Sequence, residues 1–191
     1  MESPPESIVP RPGLVLRRHR VEDAPAVADG VGASLPELAA WLPWATAEAA
    51  EPERQRARLA EDADRWAAGD AFGFVMVADG GVVGCMGLHP RVGPGGVTIG
   101  YWLRTDRTGR GIVTACAGAL TGAALGLTGV ERVEIHCDEA NERSAAVARR
   151  LGYRLDRVMP TPAAPGGRSG TAETGRTMVW VYPSDAGDGA R

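Results

Sequence analysis

The spacing of hydrophobic residues changes twice along the chain, and each change predicts a different secondary structure. Residues 14–18 (LVLRR) alternate between apolar and polar and predict a first strand. Between residues 21 and 69 the apolar positions recur at helical spacing, which predicts three helices. The last helix is the clearest, because Leu59, Ala63 and Trp66 stand at i, i+4 and i+7.

The second half of the chain begins with extended segments and ends with an alternation of helices and strands. FGFVMVA and VVGCMGLH flank the turn Asp79-Gly80-Gly81 and predict a hairpin, and VTIGYWL follows as a third adjacent strand. A helix is expected after Gly111, then the strand VERVEIHC, a helix ending at Gly152, and the strands YRLDRVM and TMVWVY. This order predicts an α/β domain in which an antiparallel meander is followed by alternating strands and helices.

Length and charge narrow the class of protein. A chain of 191 residues fits one globular domain. The net charge of −3 argues against a protein that binds nucleic acid by general phosphate neutralisation. The three cysteines lack the spacing of a metal site, so we expect reduced packing residues and no metal. No apolar run has the length of a membrane span and the first residues lack the order of a signal peptide, so the expected location is the cytoplasm.

The expected domain boundaries follow composition. Residues 1–13 are predicted to be a flexible leader, 14–182 a single domain, and 183–191 a disordered tail. Residues 160–175 are rich in proline and glycine and predict a mobile loop over one side of the site.

The segment TGRGIVT, Thr108–Thr114, carries the most informative chemistry. Two glycines before a helix let consecutive backbone N–H groups and the positive helix end face a phosphate, and Arg107 and Arg110 add charge. A glycine turn that serves only as a sharp corner is the alternative. A dinucleotide fold does not fit, because the third glycine and the βαβ unit are missing, and a Walker loop does not fit a chain without lysine.

Two stretches, IGYWLRTDRTGRGIVTAC and ERVEIHCDEANERSAAVARRLGY, resemble the GNAT acyltransferases in motif and order. Within that family they are most similar to the RimJ/RimL group, which acetylates N-terminal amines of ribosomal proteins. The resemblance covers residues 14–182. It implies the α/β GNAT fold, a central mixed, mostly antiparallel sheet flanked by helices, in the order β-α-α-(α)-β-β-β-α-β-α-β-β. One splayed parallel junction is expected where the pantetheine arm of coenzyme A enters.

The resemblance also implies the site residues. Backbone amides of Gly109–Val113 are expected to bind the pyrophosphate, the strand ending at Trp102 and Leu103 to pair with pantetheine, and Asn141 and Ser144 to lie beside the thioester. Ser144 is the candidate catalytic residue, as proton donor to sulfur. The cofactor-binding residues are Trp102, Leu103, Arg104, Gly109, Arg110, Gly111, Ile112, Val113, Asn141 and Ser144. A simple helix N-cap for Asn141 and an exposed helix serine for Ser144 are the alternatives.

The usual proton acceptors of the family, and one of its usual proton donors, are not where the family pattern expects them. Thr98 and the TPAAPGG segment around Ala163 stand where relatives carry glutamate, and Ala148 stands where other members carry the tyrosine that acts as acid. Glu134 and His136, which alternate onto one face of their strand, are the candidate substitutes, and a packed or solvated histidine is the alternative for His136.

The expected function is transfer of an acyl group from acyl-CoA, most simply acetyl-CoA, directly to a primary amine of a protein N-terminus or a small molecule. One alternative is a non-catalytic or regulatory acyl-CoA-binding domain. The other is a small-molecule or antibiotic acyltransferase that uses another donor such as succinyl-CoA. No membrane or direct nucleic-acid partner is expected, and a homodimer is possible.

Overall fold

The computed structural model describes residues 1–161 and 167–183. Its five helices are α1 (Ala24–Gly32), α2 (Leu35–Ala39), α3 (Pro52–Ala68), α4 (Ile112–Leu125) and α5 (Glu142–Arg150). Its eight strands are β1 (Ser7–Arg11), β2 (Leu14–Arg18), β3 (Phe72–Ala78), β4 (Gly81–His89), β5 (Gly96–Leu103), β6 (Arg132–Asp138), β7 (Arg154–Pro160) and β8 (Arg176–Pro183). No helix in the described ranges is long and apolar enough to cross a membrane.

All eight strands form one sheet, in the order β1-β2-β3-β4-β5-β6-β8-β7. Neighbouring strands are antiparallel except for β5 and β6, which are parallel. The β3–β4 hairpin turns at Asp79 and Gly80, both with positive φ (52° and 77°), as a two-residue hairpin turn requires. The predicted mixed, mostly antiparallel sheet and the predicted hairpin are confirmed.

The sheet opens between its two parallel strands. Pairing of β5 with β6 runs from Gly96 opposite Arg132 to Thr98 opposite Glu134 and ends there. Both strands continue, β5 to Leu103 and β6 to Asp138, each held on its other edge by an antiparallel neighbour. The result is a wedge-shaped gap, which confirms the splayed junction that the resemblance implied.

Helices cover both faces of the sheet. The helices α4 and α5 pack on one face, where Leu120, Ile135 and Ala148 belong to the larger apolar core. The helix α1 covers the other face, where Val31 packs with Val75 of β3 and other buried residues. The three cysteines, Cys85, Cys116 and Cys137, are buried and free.

The structure differs from the sequence-based expectations at the N-terminus and in part of the long loop. The prediction of a flexible leader is wrong for Ser7–Arg11, which forms β1. This strand pairs antiparallel with β2, because Gly13 (φ 76°) lets the chain reverse. Residues 167–175 of the predicted mobile loop dock on the fold, with Thr171 N donating to Ala39 O at 3.0 Å. Residues 162–166 of that loop, including Ala163, and all but the first residue of the predicted tail lie outside the described residues.

Candidate functional site

A cleft of about 1960 Å³ runs through the splay between β5 and β6. At one end it is lined by the glycine loop and the start of α4, and at the other by α2, α3 and the loop before β8. We call these the donor end and the acceptor end. Beyond Thr98, the edge of β5 that faces β6 carries backbone N–H and C=O groups that can pair with an extended ligand inserted into the wedge.

The donor end is a cradle of backbone groups at the start of α4. Gly109 and Gly111 both have positive φ (74° and 69°), and Gly111 is the N-cap of α4. A Cβ at Gly109 would meet no atom within 4 Å, so the space beside it is open to a ligand. With the positive helix end behind it, this loop fits a pyrophosphate.

An arginine of β1 supports the same loop. The guanidinium of Arg11 donates to the carbonyl of Arg110 at 2.9 Å, and it lies 3.9 Å from where a Cβ on Gly111 would stand. This places a positive charge from the first strand beside the cradle. Arg11 lies in the segment that was predicted to be a flexible leader, so nothing in the sequence indicated a role for it at this loop.

The arginines near the loop are less available than the sequence suggested. Arg104 forms ion pairs with Asp29 of α1 and, at 3.2 Å, with Asp106. Arg107 pairs with Asp79 of the hairpin turn at 3.0 Å. Arg110 is exposed and lies within 3.5 Å of the Asp106 carbonyl. The structure therefore uses Arg104 and Arg107 to hold the loop against the rest of the domain.

The other predicted donor residues come together around the cleft. Eight of them line it: Trp102, Leu103, Gly109, Gly111, Ile112, Val113, Asn141 and Ser144. The structure does not bring Arg104 or Arg110 to the lining.

Asn141 and Ser144 stand at the start of α5, facing the splay. The side-chain oxygen of Asn141 accepts from the backbone N–H of Ser144 at 3.1 Å, so Asn141 is the N-cap, the plainer of its two interpretations. The N-cap bond uses the side-chain oxygen of Asn141 and does not involve its amide nitrogen.

Ser144 shares its hydroxyl with a residue that sequence reasoning missed. Its Oγ lies 2.8 Å from the hydroxyl of Tyr101 on β5. Burial raises the pKa of Tyr101, and of Cys137 nearby on β6, so both stay protonated at neutral pH. The two hydroxyls bridge the splay and form a chain that can donate a proton into it.

At the acceptor end, three glycines form one row across the sheet. Gly73 pairs with Gly87, and Gly87 pairs with Gly100, so the row leaves a groove on the face covered by α1. A Cβ on Gly73 would overlap the imidazole of His19, and one on Gly87 would come within 2.6 Å of His89 Nε2. The glycines therefore make room for two imidazoles.

Charged residues of α3 border this groove. His19 Nε2 lies 3.5 Å from Asp62 Oδ2, and Arg58 pairs with the same carboxylate at 2.8 Å. Burial lowers the pKa of His89 to about 4, so that imidazole is neutral at pH 7. The charged stripe of α3 looks in the sequence like a solvated face, but Gln55, Arg58 and Asp62 line the cleft.

A second imidazole–carboxylate pair lies at the splay itself. His136 Nε2 is 2.7 Å from Glu134 Oε2, and Arg132 Nε donates to the other oxygen of that carboxylate at 2.8 Å. The Glu134 side chain is 2% exposed and that of His136 33%. Both sit on the strand face that the sequence predicted.

The loop before β8 supplies a carboxylate and closes the acceptor end. Glu173 lines the cleft, and its carboxylate accepts from Gly170 N at 2.7 Å. The resemblance pointed to a glutamate at the TPAAPGG segment, and Glu173 lies ten residues after Ala163 of that segment. Trp41 and Trp44 also line the cleft, and Trp44 packs edge-on against Trp102 with ring centroids 6.4 Å apart.

Comparison with known families identifies the family of the chain. The model of the acetyltransferase (GNAT) domain matches residues 13–154. The chain belongs to the GNAT acetyltransferase family. Like other GNAT enzymes it takes its acyl group from acyl-CoA, which fits the glycine cradle and the splayed strands. No curated protein matches the sequence significantly.

Solved structures share the whole GNAT fold at low identity. RimL, the ribosomal L7/L12 alpha-N-protein acetyltransferase, solved with coenzyme A, superposes with a TM-score of 0.83 at 22% identity over 95% of this chain and 99% of that one. MccE, a microcin C7 self-immunity acetyltransferase solved with acetyl-CoA and AMP, gives 0.84 at 18% identity over 94% and 97%. The ribosomal-protein-S5-alanine acetyltransferase of Vibrio fischeri gives 0.81 at 19% over 94% and 97%.

Proposed function

We propose that this protein transfers an acetyl group from acetyl-CoA directly to the primary amine of a protein N-terminus or a small molecule. The observation that carries the proposal is the continuity of the cleft, which joins a phosphate cradle, an open strand edge and a proton-donating hydroxyl pair. Each of these features answers one need of acyl transfer from a thioester.

The donor-end residues have separable roles in the proposal. The backbone amides between Gly109 and Val113 bind the pyrophosphate at the start of α4, with Arg11 holding the loop. The exposed edge of β5 toward Trp102 and Leu103 pairs with the pantetheine amides. The amide nitrogen of Asn141 is placed to donate at the mouth of α5.

The hydroxyls of Ser144 and Tyr101 serve the leaving group. Acyl-CoA supplies an activated thioester and a thiol of moderate pKa as its leaving group. The Ser144–Tyr101 pair donates a proton toward that sulfur, with Tyr101 kept protonated by burial. Ser144 is the end of the chain nearest Asn141 and is the proposed catalytic residue.

The acceptor is proposed to be an amine that enters between α2, α3 and the loop before β8. Carboxylates of Glu37 and Glu173 line that end and favour a cation, and the indole rings of Trp41 and Trp44 flank its path. Two of the structural neighbours are ribosomal-protein acetyltransferases and one confers immunity to a microcin. Both a protein N-terminus and a small antibiotic amine are therefore acceptor classes to test.

The test is a matrix of acyl donors and amine acceptors followed by thiol release. Acetyl-CoA and succinyl-CoA are each combined with peptides bearing a free N-terminus, with polyamines, with amino acids and with aminoglycosides. We expect acetyl-CoA to support release of coenzyme A only with an amine present, and mass spectrometry to find the acceptor heavier by one acetyl group. Binding of acetyl-CoA without thiol release from any acceptor would leave a non-catalytic acyl-CoA-binding domain.

The location and assembly of the protein are part of the same proposal. The free, buried cysteines suit a reducing compartment such as the cytoplasm. The edge strand β7 exposes Leu155 (47%) and Val158 (38%), which supports a homodimer through that edge. Sedimentation of the wild type beside Leu155→Glu tests the dimer, because the charge should yield a monomer.

A further inference from the structure

We propose that His136 is the general base that deprotonates the acceptor ammonium, and that buried Glu134 is its positioning residue. The inference rests on the acetyltransferase function proposed above and names the proton acceptor that the family pattern leaves out. It rests on three observations: the position of His136 at the splay, its contact with Glu134, and the contacts or burial that occupy the other candidate bases.

The position of His136 follows from the register of the sheet. The parallel pairing ends with Thr98 opposite Glu134, and His136 is two residues further along β6 on the same face. Its side chain thus stands inside the wedge, on the face opposite Tyr101, whose hydroxyl reaches Ser144 of α5. A thioester held in the wedge would have the proton donor on one face and the imidazole on the other.

The contact with Glu134 makes the imidazole fit for this role. Glu134 accepts from His136 at 2.7 Å while Arg132 holds its other oxygen, so the carboxylate is fixed between the two. A buried carboxylate on one ring nitrogen sets the tautomer, leaves the other nitrogen as the proton acceptor, and stabilises the imidazolium once formed. A histidine that only packed against its neighbours would not need a buried carboxylate on its ring nitrogen.

The other two histidines and the glutamate of the loop before β8 are engaged elsewhere or are weak bases. His19 is buried against Asp62, and burial lowers the pKa of His89 to about 4, which makes it a poor proton acceptor. Glu173 closes its own turn through Gly170 N. His136, by contrast, is one-third exposed and lines the cleft.

The proton and electron balance of the step is simple. His136 takes one proton from the ammonium, the freed lone pair forms the N–C bond, and the C–S bond breaks. The sulfur takes a proton from the Ser144–Tyr101 pair, which recovers the second nitrogen proton through solvent. Imidazolium then returns its proton to water, so each turnover yields an amide, a thiol and one released proton.

The charged groups around His136 come from several elements. On its own face of β6 these are Arg132, Glu134 and Asp138, the last held by Thr174. The β8 residue opposite is Val179, and the β5 residue opposite Glu134 is Thr98, so neither neighbouring strand adds a charge at these positions. Across the cleft lie His89, Arg91 and Glu173.

The first experiment measures transfer from acetyl-CoA to a peptide that the wild type acetylates. His136→Gln should lower kcat/KM by about 100-fold or more, the usual worth of a general base. His136→Ala should regain activity when imidazole is added, because a free base can enter the space left by the ring. The parallel variant Glu173→Gln tests the competing carboxylate, and full activity of His136→Gln beside an inactive Glu173→Gln would overturn the proposal.

The second experiment needs no acceptor. The chain has three histidines, and only His136 combines exposure with a place at the splay. Diethyl pyrocarbonate should therefore modify one residue rapidly, the fast phase should vanish in His136→Gln, and acetyl-CoA should slow it. A fast phase that persists in His136→Gln would contradict the assignment.

Failure of the proposed function gives a different result. If no acceptor is found, or acetyl-CoA does not bind, the wild type itself is inactive and the acetyltransferase proposal fails. If the wild type transfers but His136→Gln keeps its rate at every pH, only the assignment of the base fails.

Glu134→Gln should lower kcat with little change in KM and move the acid limb of the kcat/KM profile, a shift that a purely structural role would not produce.

Discussion

The two ends of the cleft are built in different ways. The donor end is made mostly of backbone: two glycines with positive φ, the first turn of α4, and an unpaired strand edge. The acceptor end is made of side chains from α2, α3, β4, β6, the loop before β8 and His19, which follows β2. The donor end thus comes mainly from one stretch, between Thr98 and Thr114, to which Arg11, Asn141 and Ser144 are added from elsewhere, and the acceptor end comes from most of the chain.

This contrast matches the chemistry that each end serves. A pyrophosphate and an amide-containing arm can be bound by repeating backbone groups, so a local motif is enough. An acceptor is distinguished by its shape and charge, which require side chains brought together by the fold. The two ends should therefore respond differently to substitution, and the following variants are ordered from the largest expected effect to the smallest.

The largest effect is expected where the two ends meet, at the hydroxyl pair. Ser144→Ala should lower kcat by roughly 10²-fold, because a positioned acid typically contributes 10²- to 10⁴-fold to rate. The dissociation constant of CoA should change little, since the hydroxyl serves the leaving sulfur. Steady-state kinetics with calorimetry of CoA binding checks both values.

Tyr101→Phe is the matched variant for that pair. It removes the hydroxyl that lies 2.8 Å from Ser144 Oγ and keeps the ring in the core. We expect a smaller loss of kcat than in Ser144→Ala. If Ser144→Ala keeps its full kcat, the hydroxyl is a bystander and the proton must come from water or the acceptor.

A tenfold effect on CoA binding is expected at the donor end. Gly111→Ala forces an L side chain into a left-handed conformation (φ 69°) at the N-cap of α4, which costs about 1–2 kcal/mol. The free protein should relieve this strain by moving the loop out of the conformation that fits a pyrophosphate, so calorimetry should show CoA bound about tenfold more weakly. The control is Gly122→Ala within α4, where a Cβ meets nothing within 4 Å and CoA affinity should stay unchanged. Equal CoA affinity in both variants would contradict the proposal that this glycine loop binds the pyrophosphate.

Much of the fold could be predicted from the sequence, for local reasons. The hairpin at Asp79-Gly80 and the helix after Gly111 each depend on nearby residues, whereas the splayed junction was expected only from the resemblance to the GNAT family. The strand β1 was missed because it is short, lies in a proline-rich stretch and gains its stability from pairing with β2. Tertiary pairing of that kind leaves no trace in a local pattern.

The acceptor end could not be predicted to the same degree. Asp62 looks like part of a solvated helix stripe until the groove over Gly73 brings His19 against it. Tyr101 alternates with buried neighbours and shows its role only through the position of Ser144 on α5. These contacts join residues far apart in the chain, and a single sequence gives no register between them.

A several-fold rise in the KM for the acceptor is expected when the loop before β8 is displaced. A side chain at Gly170 would place its Cβ 2.5 Å from Ala40 O, so Gly170→Val should push the loop off α2. The KM for the acceptor should rise several-fold while CoA affinity stays the same. Thr171→Ala is the matched control, because Thr171 docks through its backbone N–H and the substitution preserves that bond. A parallel loss of CoA affinity in Gly170→Val would count against two separate ends.

The smallest effect concerns stability at the acceptor end and its dependence on pH. Burial opposes ionisation of Asp62, but His19, Arg58 and Arg65 outweigh it and hold the pKa of this carboxyl below its ordinary value. The native state therefore binds fewer protons than the unfolded chain, and stability rises with pH through this window. The contribution is complete above the ordinary carboxyl pKa and is lost as pH falls through the lowered one.

Asp62→Asn removes that contribution and tests its sign. Chemical unfolding at pH 6 should find the variant less stable than the wild type by about 1 kcal/mol, and the gap should close toward pH 3. Asp64→Asn, on the exposed side of α3, should change stability little at either pH. A gap that stays constant between pH 6 and pH 3 would mean that Asp62 stabilises the groove through packing or neutral hydrogen bonds. In that case its charge would serve only the acceptor, and CoA affinity, set at the other end of the cleft, should still be unaffected.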